Sequence, residues 1–214
     1  MGNRYQVPPG TRLKIASASG SLTIFAEDRE DIEIDPPERR VEVHDGVAEI
    51  KSKSANLEVR VPTGTDVSAG AISGSVKLEG VFGSVRVNAV SGSISLDRAL
   101  GDVDIRSVSG RVNVGSAGGE CCLNSKSGKI TIGRVGRLAK AATISGAVEL
   151  TTDGAEDVEV KTISGHITIN VPVDKNPRLR FRTLAGKMRY DGTQGDDFEI
   201  RAGSVSGSVD IQQS

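Results

Sequence analysis

Ser73-Gly74-Ser75-Val76-Lys77-Leu78, Ser91-Gly92-Ser93-Ile94-Ser95-Leu96, Ser109-Gly110-Arg111-Val112-Asn113-Val114 and Ser127-Gly128-Lys129-Ile130-Thr131-Ile132 are one phrase written four times. Ser145-Gly146 and Ser164-Gly165 continue it, so Gly74, Gly92, Gly110, Gly128, Gly146 and Gly165 follow one another at 18, 18, 18, 18 and 19 residues. Gly83, Gly101, Gly119 and Gly136 fall between them, which makes the finer beat nine residues and the repeat two such units. A fixed short period is the mark of a stacked repeat, because no single unit can bury its own apolar face.

Counted from each glycine, the third and fifth positions are apolar: Val76 and Leu78, Val85 and Val87, Ile94 and Leu96, Val103 and Ile105, Val112 and Val114, Cys121 and Leu123, Ile130 and Ile132. The position between them is mostly polar, as in Lys77, Arg86, Asp104, Asn113 and Thr131. This is the two-residue alternation of a half-buried strand. The eighth position is apolar again in Val81, Val90, Ala99, Val108, Ala117 and Val135, with Lys126 the exception, and reads as the residue that closes each corner. Glycine serves the corners because it accepts left-handed or tightly packed backbone without a Cβ penalty. The pattern predicts an all-β chain, a parallel β-solenoid or β-helix with 18-residue coils, and a rod about 40–50 Å long from eight to ten coils spaced by about 4.8 Å. The six corner glycines are expected to be structural turn residues.

Outward from the repeat, residues 1–66 read as an N-terminal β cap with lead-in strands, and residues 67–214 as the solenoid with larger C-terminal coils. Ser19-Gly20 precedes Gly74 by 54 residues, three times eighteen, which suggests a diverged first coil. Pro36-Pro37 interrupts the strand pattern, and His44-Asp45-Gly46 reads as a hairpin turn between Val41–Val43 and Val47–Ile50. Beyond Ile169, Leu179 with Phe181, Met188 with Tyr190 and Phe198 with Ile200 keep the alternation, and Gly186 and Gly207 come at 21-residue steps.

The chemistry on offer is sparse. Lys+Arg 27 against Asp+Glu 28 gives a formal charge of -1, so there is no basic field for nucleic acid, and aromatics are only 3% with no Trp, so ring-lined pockets are not expected. Asp28, Glu30, Asp31, Glu33 and Asp35 could gather a hard cation, but they alternate with isoleucine and read as a solvated face. His44 and His166 lack metal-ligand or triad companions at a recognisable spacing and read as surface residues. Gly128-Lys129 matches only the end of a phosphate loop, and the Asp191–Asp197 tip reads as a turn. The corners lack the Gly-Gly-x-Gly-x-Asp turn of calcium-binding nonapeptide rolls. Cys121 should point inward and Cys122 outward, with no disulfide between them. No catalytic, metal or cofactor residues are expected, and no cofactor. The N-terminus has no signal-peptide run, and no stretch is long enough to span a membrane, so the sequence reads as cytoplasmic as it stands. Cell-surface display would need a leader or anchor beyond these residues.

Val90-Ser91-Gly92-Ser93-Ile94-Ser95-Leu96, Val108-Ser109-Gly110-Arg111-Val112-Asn113-Val114, Lys126-Ser127-Gly128-Lys129-Ile130-Thr131-Ile132 and Ile163-Ser164-Gly165-His166-Ile167-Thr168-Ile169 resemble the bacterial putative-adhesin family of β-strand repeats, a domain of unknown function. Val59-Arg60-Val61-Pro62-Thr63-Gly64-Thr65-Asp66-Val67 resembles that family's lead-in. The resemblance implies a β-solenoid without known catalytic residues. The expected function is a non-enzymatic scaffold or adhesin-type binding module with a protein or glycan partner, and homo-oligomers are left open. The alternatives are a bactofilin-like filament and, behind it, a glycan-active β-helix enzyme.

Overall fold

The computed structural model describes residues 3–36, 41–52, 56–154 and 156–213, and among them there is strand but no helix. β1 (Asn3–Gln6), β2 (Arg12–Ser19), β3 (Leu22–Glu27), β4 (Asp31–Asp35), β5 (Val41–His44), β6 (Val47–Ser52) and β7 (Leu57–Pro62) come first. β8 (Val67–Ser73), β9 (Val76–Phe82), β10 (Val85–Ser91), β11 (Ile94–Ala99), β12 (Val103–Ser109) and β13 (Val112–Ala117) alternate across the two kinds of corner. β14 (Glu120–Val135), β15 (Leu138–Thr151) and β16 (Asp157–Val171) run through the Ser-Gly corner unbroken, and β17 (Arg178–Thr183), β18 (Lys187–Tyr190) and β19 (Glu199–Gln213) end the chain. All nineteen belong to one sheet.

The repeat sets the register. Val85 pairs with Val103, Val103 with Cys121 and Cys121 with Ala139, all parallel, while Ile94, Val112, Ile130 and Val148 form the matching ladder on the other half of each coil. The result is solenoid-like, with residues of the repeat lying beneath those eighteen places on through most of β8 to β15. Parallel pairing forces this, since a one-residue slip would turn every inward valine to water. The third- and fifth-position residues from Val76 to Ile132 are all buried and form one continuous core with Leu13, Ile15, Leu22 and Ile24 at one end and Ile200 and Ile211 at the other. At the Ser-Gly corner glycine is demanded twice. Gly92 has φ 117°, and a Cβ on it would fall 1.9 Å from the carbonyl oxygen of Gly74 in the level below.

The eighth positions do not share one role. Ala99, Ala117 and Val135 are only 2%, 3% and 1% exposed, whereas Val90, Val108, Ile144 and Ile163 are 47%, 39%, 48% and 51% exposed. The reason is parity. With Val85, Val87 and Ala89 facing in, Val90 must face out. In β11 Asp97 and Arg98 both face out at the bend and Ala99 turns back in, while one extra residue in β9 sets Phe82, not Val81, beside Ala99. The expectation of one closing apolar residue at every corner is therefore corrected: it holds at one corner for Ala99, Ala117 and Val135, where in β9 Phe82 rather than the expected Val81 turns in, and the other corner exposes its aliphatic residue.

The chain does not lay its end coils down in order. β2 pairs on one side with β8 and on the other with β6, and β3 lies likewise between β9 and β7. At the far end β19 pairs with β16, at Val158↔Ile200, and with β17 and β18 on its other edge. From one end to the other the levels are thus β6/β7, β2/β3, β8/β9, β10/β11, β12/β13, β14, β15, β16, β19 and β17/β18, and the ladder crosses residue 66 without a break. The Ser19-Gly20 pair is a true member of the stack: a Cβ on Gly74 would fall 1.9 Å from the Gly20 oxygen. The outer edge of β6 carries β5, antiparallel through a hairpin with Asp45 and Gly46 at φ 50° and 72°, and the outer edge of β7 carries β4, itself paired with β1. Pro36 follows β4, while Pro37 lies outside the described residues.

Candidate functional site

Because Val90, Val108, Ile144 and Ile163 stand out at the same corner of successive coils, they form one wall of a long groove of about 1090 Å³. The opposite wall is Asn88, Arg106, Asn124, Ala142 and Lys161, and the floor between is Ala89, Ser107, Ser125, Thr143 and Thr162. Lys51, Ser52, Ala16 and Gly70 extend it over β6, β2 and β8, so eight consecutive levels contribute and the groove runs roughly 34 Å at about 4.8 Å per level. The surface it offers is nearly all carbon.

The floor hydroxyls do not contradict that. Ser107 Oγ donates to the Ser109 carbonyl oxygen at 3.2 Å and Ser125 Oγ to that of Ser127 at 3.1 Å, each closing its own corner. Ser52 Oγ, Thr143 Oγ1 and Thr162 Oγ1 are buried without a protein partner, and their residues are 5% exposed, so carbon rather than oxygen faces outward. Lys126 interrupts the aliphatic wall between Val108 and Ile144. The other lining cations have acidic neighbours on their own strands, Lys51 with Glu49 at 3.9 Å, Arg106 with Asp104 at 3.5 Å, and Lys161 with Glu159. Among the described residues Lys126 is the lining cation with no ion pair.

A second groove of about 790 Å³ lies at the corner that keeps its eighth residue inside, lined by Gly80, Asp97, Gly115, Arg134, Thr152 and Asp153 among others. It is polar and largely self-satisfied: Asp97 accepts from Gly80 N at 3.1 Å, and Arg134 meets Asp153 at 3.5 Å. Beside it Glu156 is buried with neither carboxylate oxygen bonded, and burial, helped by nearby Asp153, pushes its pKa up to about 7.

The acidic segment singled out in the sequence separates into two sets. Asp31 and Glu33 turn to Arg29, at 2.7 and 2.9 Å, with Arg4 alongside, and Arg29 holds both carboxyls below their ordinary range. Glu27 joins them and also meets Arg60 at 2.9 Å, and the Arg60 guanidinium stacks 5.1 Å from the Phe25 ring centre. Asp28, Glu30 and Asp35 stay exposed. No group of three or more candidate ligands is gathered for a metal ion among the described residues.

With fold and site in place, the family is decided by a match to the Toastrack DUF4097 family model over residues 6–214. The chain belongs to that family. Among solved structures, this Toastrack chain is similar to a putative adhesin from Bacteroides fragilis, at 16% identity and a TM-score of 0.63 over 99% of this chain and 96% of that one. It is also similar to a putative adhesin from Parabacteroides merdae, at 13% identity and a TM-score of 0.61 over 100% and 96%. At such identities the likeness is one of fold. No curated protein matches the chain.

Two features of the Toastrack stack escaped the sequence. His166, a surface residue as expected, is not alone: the pairing of β16 with β19 sets its Nδ1 2.5 Å from Ser208 Oγ and its Nε2 3.3 Å from Asp210 Oδ2. Serine, histidine and carboxylate are in line, yet the trio lies on the open sheet face outside both grooves. The backbone N–H groups around it are spent in the β16–β19 ladder rather than aimed at an oxyanion. Its 42-residue separation follows from the insertion of β19, which no spacing rule would find. The second is a set of side-chain acceptors at the other corner: Asp66 Oδ1 accepts from Ser84 N at 2.7 Å and Asp102 Oδ1 from Glu120 N at 2.9 Å, each eighteen residues on. Cys121 is buried and Cys122 half-buried, both free thiols, and burial pushes Cys121 up to about 12. Gly128-Lys129 lies in β14 on the outer surface, where Lys129 pairs with Glu149 at 2.5 Å. Asp196 in the polar tip is held by Arg178 at 2.7 Å.

Proposed function

We propose that the chain is a non-enzymatic, adhesin-type binding module: a rigid rod of 18-residue parallel coils, each made of two nine-residue units, that presents side chains in straight ladders. Residues 1–66 supply its closed end and residues 67–214 the coils that carry most of the binding surface. The observation that carries this reading is the groove, a largely apolar surface over eight levels whose exposed valines and isoleucines, interrupted by Lys126, serve no packing purpose in the core. A bactofilin-like filament is disfavoured, since stacking end to end needs two open ends and β4 and β5 already occupy the outer edges of β7 and β6. A glycan-active enzyme is disfavoured by the ion pairing of Asp31 and Glu33 with Arg29 and by the lack of rings among the groove's lining residues.

An adhesin-type role implies display at the cell surface, which protease shaving of intact cells tests directly. Arrayed proteins, glycans and lipids incubated with purified chain should retain it in a saturable way, and Val108→Arg should release it. If nothing retains the chain, or if Val108→Arg is retained equally, the groove is not a binding surface.

A further inference from the structure

Among the described residues the groove has one free charge, and it sits inside the aliphatic wall. We propose that the groove binds the single alkyl chain of a long-chain carboxylate, a fatty acid, with its carboxylate on Lys126 and its chain lying along Ile144 and Ile163 and reaching Val205, one level past the groove's end. This rests on reading the groove as a binding surface.

Geometry and chemistry select this occupant over the others. Lys126 is exposed and unpaired, and the carboxylates nearest the other lining cations are already engaged with them, so the groove lacks an anion where it has a spare cation. The same groove on a second copy of the chain would bring another Lys126 and no carboxylate among its lining residues to meet this one. An extended peptide would have to bury an N–H and a C=O every residue, and the hydrogen-bonding groups of the floor cannot answer them: the ladder runs along the groove and is already closed, and the unbonded hydroxyl oxygens are covered by carbon. An alkyl chain has no such groups. From Lys126 the aliphatic run of Ile144 and Ile163 in the groove, with exposed Val205 on the next level, covers three levels, about 14 Å. Half of a hydrocarbon core about 30 Å thick gives about 15 Å for one acyl chain. The lysine stem itself adds hydrocarbon to the wall while its ammonium reaches the head group.

The test is calorimetric titration of the full chain with monomeric palmitate, beside decanoate, hexadecanol, phosphatidylglycerol vesicles and an extended peptide of alternating leucine and glutamate. One palmitate per chain is expected. Lys126→Glu should weaken it at least tenfold, Ile163→Arg more than tenfold, and decanoate and hexadecanol should each bind more weakly than palmitate. Both substituted positions are exposed, so unchanged thermal unfolding checks that the variants fold. Absence of saturable palmitate binding, equal binding by both variants, or binding of the vesicles or the peptide alone would overturn the assignment. Retention of the chain on arrayed proteins or glycans in a palmitate-free assay would then show that the groove binds something else, whereas loss of both would remove the binding module as well.

Discussion

At the scale of single residues, Cys121 and Cys122 report the register most simply. They are adjacent on β14, so one faces the core and the other the surface; Cys121 is fully buried with its pKa pushed up to about 12, and Cys122 is half-buried. Iodoacetamide on native protein should modify Cys122 and leave Cys121 until unfolding, and mass spectrometry showing the reverse would invert the coil. Glu156 offers a second residue-level reading. Its folded pKa, about 7, lies above the ordinary 4.5, so its contribution to stability is whole below about pH 4.5 and is lost as the pH rises through 7. Glu156→Gln should remove that decline, worth about 1–2 kcal/mol at pH 8 once relaxation of the loop is allowed for. Parallel thermal melts at pH 5 and 8 measure it; an unchanged pH dependence in the variant would place the buried charge elsewhere. The inward cysteine was legible because position three is always inward. The burial of Glu156 was not, because it lies where the 18-residue spacing slips to 19 and the repeat no longer says which way a side chain points.

At the scale of the strand, the nine-residue pattern foretold the core but not the groove. Ile94 and Ile130 are buried, while Ser95 and Thr131 between the inward residues are not. Ile94→Asp or Ile130→Asp should cost at least about 4 kcal/mol, since an unpaired carboxylate is forced into hydrocarbon, and Ser95→Asp or Thr131→Asp should cost under about 1. The eighth position makes a sharper test, because Val90 and Val135 look alike in sequence. Val90 follows uninterrupted alternation outward, whereas the corner that ends at Val135 brings its residue back in. Val90→Asp should be tolerated and Val135→Asp should unfold neighbouring levels; equal losses in urea denaturation would mean that both corners close inward. A bend that turns two successive residues outward leaves no signature beyond two polar neighbours, as at Asp97-Arg98, which is why one rule was read where two corners exist.

At the scale of the whole molecule, the stack has ends that are threaded rather than simply stopped. A solenoid wound in chain order could lose its last coil and keep the one before it intact. Here β19, last in sequence, lies between β16 and the β17/β18 level, so the final fifteen-residue strand holds its predecessor in place. Met188 is partly exposed even with β19 present, and Leu179 and Phe181 pack only at the margin of the core. Without β19 these residues would have no ladder to join, because the stretch from Pro172 to Pro177 leads to a level two coils beyond β16, with β19 between. Gly186 packs against the Gly207 oxygen and Gly207 against that of Gly165, so the corner glycines mark the same order. Truncation after Asp197 should therefore release everything beyond Val171: trypsin should cut at Arg178, Arg180 and Arg182, while residues up to Val171 stay resistant and the melt loses two levels rather than one. Hydrogen exchange would show β17 and β18 at coil rates in the truncated chain and protected in the full one. If β17 and β18 instead stay protected after truncation, they can pair with β16 directly, and the insertion of β19 is not what secures that end of the rod.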